Sequence, residues 1–398
     1  MTPNVALRAV LTAVAVVVLA IPAVIDVGGY VPGIPVVSRF GSFLVSDLPY
    51  VAFLAIGALG LIGVALAIGG GRWTKLLAAL AVVVLGGVVV AGAAFATTLA
   101  AHGAAYDPIR QLGPDPSAPP ADERVVFATL EGVDLHADLR HPARWDAQDV
   151  APAEPFAAVL YVHGGGFVGG ELGMRAIQLE AFAERHNVLV VDIEYRLSPP
   201  ARWHDAPADV LCALAWMRHE TQALRIDPGR VFVMGESAGG NLALVAAYAA
   251  GTGRIESSCG GDPLVPAGVV AIAPAVDLTA LWSNPTLWYE GRPLPEAYVG
   301  GPPSEYPDRY AAAEPFAYVR ADVPPTLLLA GANDQIIPLD QVRRLESELR
   351  EAGAQVELVV MPFADHGFDG YHDGPGGQLL EGLLPAFIRK ATDAEAGA

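Results

Sequence analysis

Three short motifs in the second half of the chain hold residue types that can do covalent chemistry together. Gly235-Glu236-Ser237-Ala238-Gly239 follows an apolar run, Arg230–Met234, and opens an Ala-rich stretch, Ala238–Ala250. A serine between glycines at a strand-to-helix turn is lifted clear of the backbone, and the helix start behind it favours negative charge. The five-residue pattern alone arises by chance; strand before, helix after and Gly240 next in line give it weight. His163-Gly164-Gly165-Gly166-Phe167 follows a second apolar run, Ala157–Val162. Successive glycines leave backbone N–H groups open at a strand end. Such donors stabilise the oxyanion of a tetrahedral intermediate by about 3 kcal/mol each. Gly165 and Gly166, joined by the N–H of Ala238, are the candidate donors. His163 is expected to hold that loop by hydrogen bonding, with Gly164 as part of its support.

The serine needs a base and the base needs an acid. Among nine histidines, His366 alone lies just past a late apolar run, Val356–Met361, with a glycine after it. Asp334 ends Gly331-Ala332-Asn333-Asp334, after the run Thr326–Ala330. Asp340 is a rival that reads better as a helix start. Asp365 adjoins the histidine in sequence, a poor place from which to orient its ring. In this reading Ser237 attacks an acyl carbonyl. His366 carries the proton to the leaving alcohol, and Asp334 fixes the imidazole tautomer. The chemistry calls for no metal and no organic cofactor.

These residues must be held by strands and helices. Arg124–Leu130 and Val133–Arg140 flank Glu131-Gly132 and read as a hairpin. Further strands are expected at Ala157–Val162, Val188–Asp192, Arg230–Met234, Gly268–Ala273, Thr326–Ala330 and Val356–Met361. Helices are expected at Ala206–Glu220, Ala238–Ala250, Leu339–Ala352 and Gly377–Lys390. Alternating strands and helices predict an α/β fold, a mostly parallel sheet covered on both faces, with ligands at the carboxyl ends of its strands. The hydrolase domain is expected over residues 123–393. An aromatic, Pro-rich insertion at about 277–320 holds Trp282, Trp288, Tyr289, Tyr298, Tyr306 and Tyr310. It reads either as a pocket lining or lid, or as a surface excursion with its own small core.

The two glycine motifs together resemble the hormone-sensitive-lipase-like branch of the α/β-hydrolases. Asp192-Ile193-Glu194-Tyr195-Arg196-Leu197-Ser198-Pro199 is similar to that branch's D-Y-R-L-A-P segment, with altered spacing and Ser198 for Ala. The resemblance covers roughly residues 124–390. It implies a carboxylesterase or lipase-like serine hydrolase, commonly for short or medium acyl chains, acting on a small-molecule ester or lipid-like substrate. Members of the branch usually carry an N-terminal helical cap; here that position holds something else. Tyr195 and Arg196 read as structural, and Glu236 as pointing away from the substrate.

That something else is apolar. Residues 1–104 form an expected transmembrane region with spans at about 7–26, 48–70 and 76–100. A bilayer core needs roughly 20 apolar residues per helix, and the second and third spans exceed that. The first contains Pro22 and a flanking Arg8, so a cleaved signal peptide is the competing reading. Residues 105–122 are a Pro-rich linker. Arg8, Arg72 and Lys75 fall at the same end of three crossing spans, which sets that end in the cytoplasm and the catalytic domain outside it. The expectation is an integral protein of the cell membrane whose non-substrate partner is the lipid bilayer.

Residues 1–100 carry four basic and two acidic groups, a net of +2, while the whole chain carries −19, leaving −21 for the rest. So acidic a soluble part excludes nucleic acid as a partner, since phosphate contacts need clustered Lys and Arg. Two cysteines, Cys212 and Cys259, make neither a disulfide framework nor a metal-ligand spacing. Cys212, in an apolar helical run, reads as a buried free thiol, with a single disulfide to Cys259 as the competing reading. An acyltransferase with the same triad remains open, as does, more remotely, a tethered binding domain without activity. Residues 120–398 are expected to hydrolyse a p-nitrophenyl ester by themselves.

Overall fold

The computed structural model describes residues 3–31, 38, 40–113, 117–146, 154–284 and 292–396. Compactness divides the chain into two units. One comprises Met1–Asp115, Gly331–Gln335 and Met361–Gly382; the other comprises Pro116–Ala330, Ile336–Val360 and Leu383–Ala398.

The first unit is built on three long helices: α1 (Pro3–Tyr30), α2 (Leu48–Ala67) and α3 (Arg72–Ala101). Each is long and apolar enough to cross a membrane, with mean hydropathy of 2.6, 2.3 and 2.7. They are apolar all round because both neighbour-facing and outward positions are filled with Val, Leu, Ile and Ala. Small residues bring the backbones close: Ala15, Ala55, Ala58 and Ala81 pack with Leu19, Ile62 and Val84. Val17 and Val83 on the outside are two-thirds exposed or more. α1 continues through Pro22 and on to Tyr30, because a proline costs one backbone bond without ending an otherwise apolar helix in a bundle. α3 takes in Arg72 and Lys75.

The second unit holds an eight-stranded sheet. Its strands are β1 (Glu123–Leu130), β2 (Val133–Arg140), β3 (Phe156–Val162), β4 (Leu189–Ile193), β5 (Ile226–Glu236), β6 (Gly268–Ile272), β7 (Thr326–Gly331) and β8 (Val356–Met361). Their spatial order is β1-β2-β4-β3-β5-β6-β7-β8. The hairpin forms where expected, with positive φ at both Glu131 and Gly132, the twist a two-residue connection needs. β4, β3, β5, β6 and β7 run parallel. β3, β4 and β6 are buried along their whole length, as their unbroken apolar sequences require of central parallel strands.

Helices α4 (Ala176–His186), α5 (Asp205–His219), α6 (Ser237–Ala249), α10 (Leu339–Glu351) and α11 (Pro375–Ala396) connect and cover these strands. Among its described residues the insertion forms three short α-helices, α7 (Leu278–Ser283), α8 (Pro293–Val299) and α9 (Pro307–Ala313). Trp288 and Tyr289 lie outside the described residues. Asp340 sits in the first turn of α10, bonding the N–H of Gln341.

One reading is corrected. Cys212 is not a free thiol but is joined to Cys259 by a disulfide, their Cα atoms 5.4 Å apart. Cys212 is indeed buried in α5, but Ser258 N–H donates to Ala208 O on the same helix, which brings the loop carrying Cys259 alongside. A partner 47 residues away on a polar loop leaves no periodic trace in the sequence.

Candidate active site

β5 ends at Glu236 and α6 begins at the next residue, so Ser237 occupies the turn itself. Its φ is +52°, a region a serine adopts only when its surroundings enforce it. The enforcement is close packing. A Cβ at position 239 would lie 2.1 Å from Val162 O, so glycine alone lets α6 start against the end of β3. The whole of α6 is buried beyond Ser237, which fixes the elbow from below.

The Gly-rich loop leaves β3 beside this elbow. Gly165 and Gly166 have φ of +120° and +63°. Cβ atoms there would lie 2.1 Å from Gly169 O and 2.4 Å from Leu294 Cδ1. A Cβ on Gly164 would lie 2.9 Å from Glu236 Oε1, so the loop rests on the residue before the serine. Leu294 belongs to α8, so the insertion reaches the Gly-rich loop. Tyr298, also on α8, stacks on Phe167 with ring centroids 3.9 Å apart.

His163 is buried and its Nδ1 lies 2.7 Å from Gly164 O. Burial pulls its pKa below the usual imidazole value. The neutral ring therefore carries its proton on Nδ1 and donates it to that carbonyl. Its other face stacks on Tyr195, whose hydroxyl donates to His163 O at 3.1 Å. Arg196, next along, forks onto the buried Asp209 of α5. Glu236 is ion-paired with Arg175, whose Nε donates at 2.7 Å.

The remaining two candidates lie on adjoining loops. His366 Nδ1 is 2.9 Å from Asp334 Oδ2, and the Asp334 side chain is 1% exposed. The loops after β7 and β8 are stitched by backbone bonds, Asn333 N to Ala364 O and Ala332 N to Met361 O, both 2.9 Å. Asp365 adds a third stitch. Its Oδ1 accepts from Gln335 N at 2.9 Å and from His366 N at 2.8 Å. Asp365 thus holds both loops through backbone N–H groups, while Asp334 takes the ring. A carboxylate on Nδ1 turns Nε2 into the nitrogen that can take a proton from a hydroxyl.

A family model described as alpha/beta hydrolase fold matches residues 159–370, more than half of the chain. The chain belongs to the α/β-hydrolase fold family. Among curated relatives it is 31% identical over 243 residues to the esterase LipC of Mycobacterium tuberculosis, covering 58% of each chain. It is 29% identical over 250 residues to an ethyl acetate hydrolase of Pseudomonas putida, covering 61% of this chain and 74% of that one. The chain spans a little over half the length of the mycobacterial relatives LipQ, LipC and LipM that it matches. Among solved structures, the thermophilic esterase Est2 of Thermogutta terrifontis superposes with a TM-score of 0.52 at 26% identity, over 68% of this chain and 91% of that one. These findings bear out the resemblance to the hormone-sensitive-lipase-like branch and the α/β-hydrolase fold.

Leu294, Gln335 and the supporting part played by Asp365 were beyond sequence reasoning. Each acts through a loop neighbour fixed only in three dimensions. The D-Y-R-L-like segment did carry a usable signal for the Tyr195–His163 and Arg196–Asp209 contacts.

Proposed function

We propose that this chain is a membrane-anchored carboxylesterase acting through an acyl-enzyme on Ser237. The observation that carries the reading is the 2.9 Å contact between His366 Nδ1 and the buried Asp334 carboxylate, because a hydrolase nucleophile needs an oriented base. Ser237 attacks the ester carbonyl as His366 takes its proton. The N–H groups of Gly165, Gly166 and Ala238 receive the oxyanion. His366 then protonates the leaving alcohol, and water repeats the sequence to release the acid.

The acyl group is short or medium in length. Leu294 against Gly166 and the Phe167–Tyr298 stack put apolar bulk beside the oxyanion loop. The ethyl acetate hydrolase among the relatives fits that size. The three long helices serve as the anchor, and the catalytic residues work on the extracytoplasmic side. Arg8, Arg72 and Lys75 support that sidedness, and so does the Cys212–Cys259 disulfide, which persists in oxidising surroundings.

The full chain in detergent micelles is expected to hydrolyse p-nitrophenyl acetate and butyrate, with Ser237→Ala abolishing turnover. Wild-type turnover in that variant would remove the assignment. Release of transfer products to added alcohols, in preference to free acid, would favour acyl transfer over hydrolysis.

A further inference from the structure

The helices of the first unit do more than lie next to the acid and base loops. α1 ends at Tyr30, so the carbonyl of Gly29 is among the last four that have no partner within the helix. Asn333 Nδ2 donates to it at 2.8 Å. Asn333 immediately precedes Asp334, and its own backbone N–H is bonded to Ala364 O in the base loop. One residue therefore joins helix end, acid loop and base loop.

Phe363, three residues before His366, makes the second joint. Its ring meets Tyr30 edge-on, centroids 4.8 Å apart, and meets Phe95 of α3 at 6.1 Å and 89°. Phe95 is fully buried and also packs on Tyr106. Phe363 itself has φ +60°, a conformation a phenylalanine keeps only where its ring is held. Beyond α3 the chain is tied to the same region again. Gln378 exchanges two hydrogen bonds with the backbone of Asp107, and Arg110 forks onto Glu381 and reaches Asp373.

We propose that the C-terminal ends of α1 and α3 are a positioning device for catalysis: they hold Asn333 and Phe363, and through them the loops that present Asp334 and His366. The inference rests on the triad reading above. Asn333 and Phe363 are positioning residues, since neither reaches the reacting atoms. Under this proposal residues 120–398 by themselves should hydrolyse the ester more slowly than the full chain, because that fragment lacks Gly29, Tyr30 and Phe95. Asp334 Oδ2 faces the His366 imidazole and Asp365 Oδ1 accepts from its backbone N–H, and loosening the first destabilises the imidazolium.

The test uses the full chain in detergent micelles with p-nitrophenyl butyrate. Asn333→Ala is expected to lower kcat about five- to tenfold and Phe363→Ala ten- to hundredfold, each with KM within about twofold of wild type. The acidic limb of the kcat/KM profile should move down by about half a pH unit, since a looser carboxylate stabilises the protonated ring less. Loss of folded protein alone would lower the amplitude and leave the limb in place. Phe363→Leu should restore most of the rate. Val83→Ala, on the outward face of α3, should change nothing. If Asn333→Ala keeps the wild-type kcat and pH limb, the positioning role is overturned, whether or not Phe363→Ala folds. His366→Ala separates the two claims: full activity there sinks the triad reading, whereas inactivity there with intact Asn333 and Phe363 variants sinks only the brace.

Discussion

The serine side and the acid–base side of the candidate site are built by different means. Ser237 and the Gly-rich loop sit just past the ends of β5 and β3, central parallel strands with buried walls, and their geometry is enforced by neighbours close by in the fold. Asp334 and His366 sit on loops past the last two strands of the sheet. Those loops are steadied by one another and by residues some 300 positions earlier, in apolar helices. The sheet supplies a rigid seat for the candidate nucleophile, at strand ends where ligands bind in this architecture. The loops need outside support, and in this chain a bundle long enough to cross a membrane provides it.

The largest effects should come from the reacting groups and blur the comparison, because either side is indispensable. Ser237→Ala and His366→Ala are expected to cut kcat by about 10⁴ or more, and Asp334→Asn by about 10⁴, with KM little changed. Gly166→Ala breaks the serine side more gently. It strains a left-handed position and drives a methyl into Leu294, so kcat should fall about 10²- to 10³-fold through displaced oxyanion donors. Stopped assays with p-nitrophenyl esters check all four. The Asn333 and Phe363 variants rank next and are the ones that separate the two sides.

Below these come effects on stability alone. Replacing Cys212 and Cys259 by serine should cost about 3–4 kcal/mol, from the 47-residue loop the bond closes, and leave kcat unchanged. Thermal melts with and without reductant measure it. The smallest effect is a pH dependence. Burial pushes Asp192 and Glu314 up to about 7 each. Asp138 adds to this at Asp192, against Arg140, Arg124 and the N–H of Gly173. Asp277 adds to it at Glu314. A carboxyl raised in the folded state holds its proton there more tightly than in the unfolded chain. Stability should therefore be greatest below about pH 4 for these groups and decline as pH rises through about 7. Asp192→Asn should flatten that slope in melts taken from pH 5 to 8.

The serine side was legible in the sequence because its constraints are local. A glycine two residues after a serine, strand before and helix after, states the elbow in five letters. The strands from Ala157–Val162 to Thr326–Ala330 read correctly because inner parallel strands carry unbroken apolar runs. Asp334 and His366 could be singled out by their places after late strands. The support beneath them could not. Asn333 and Phe363 look like ordinary loop residues, and nothing in Gly29-Tyr30 signals a partner 300 residues on. The preferred free-thiol reading of Cys212 failed for a similar reason. Cys212 sits in an apolar helix, and burial alone does not distinguish a thiol from half of a cystine.

Covalent trapping tests the central claim most directly. Full-length protein treated with a fluorophosphonate should lose ester hydrolysis in step with a single adduct, located on Ser237 by peptide mass spectrometry, and His366→Ala should label far more slowly. An adduct on another residue, or undiminished hydrolysis with Ser237 fully modified, would contradict the account.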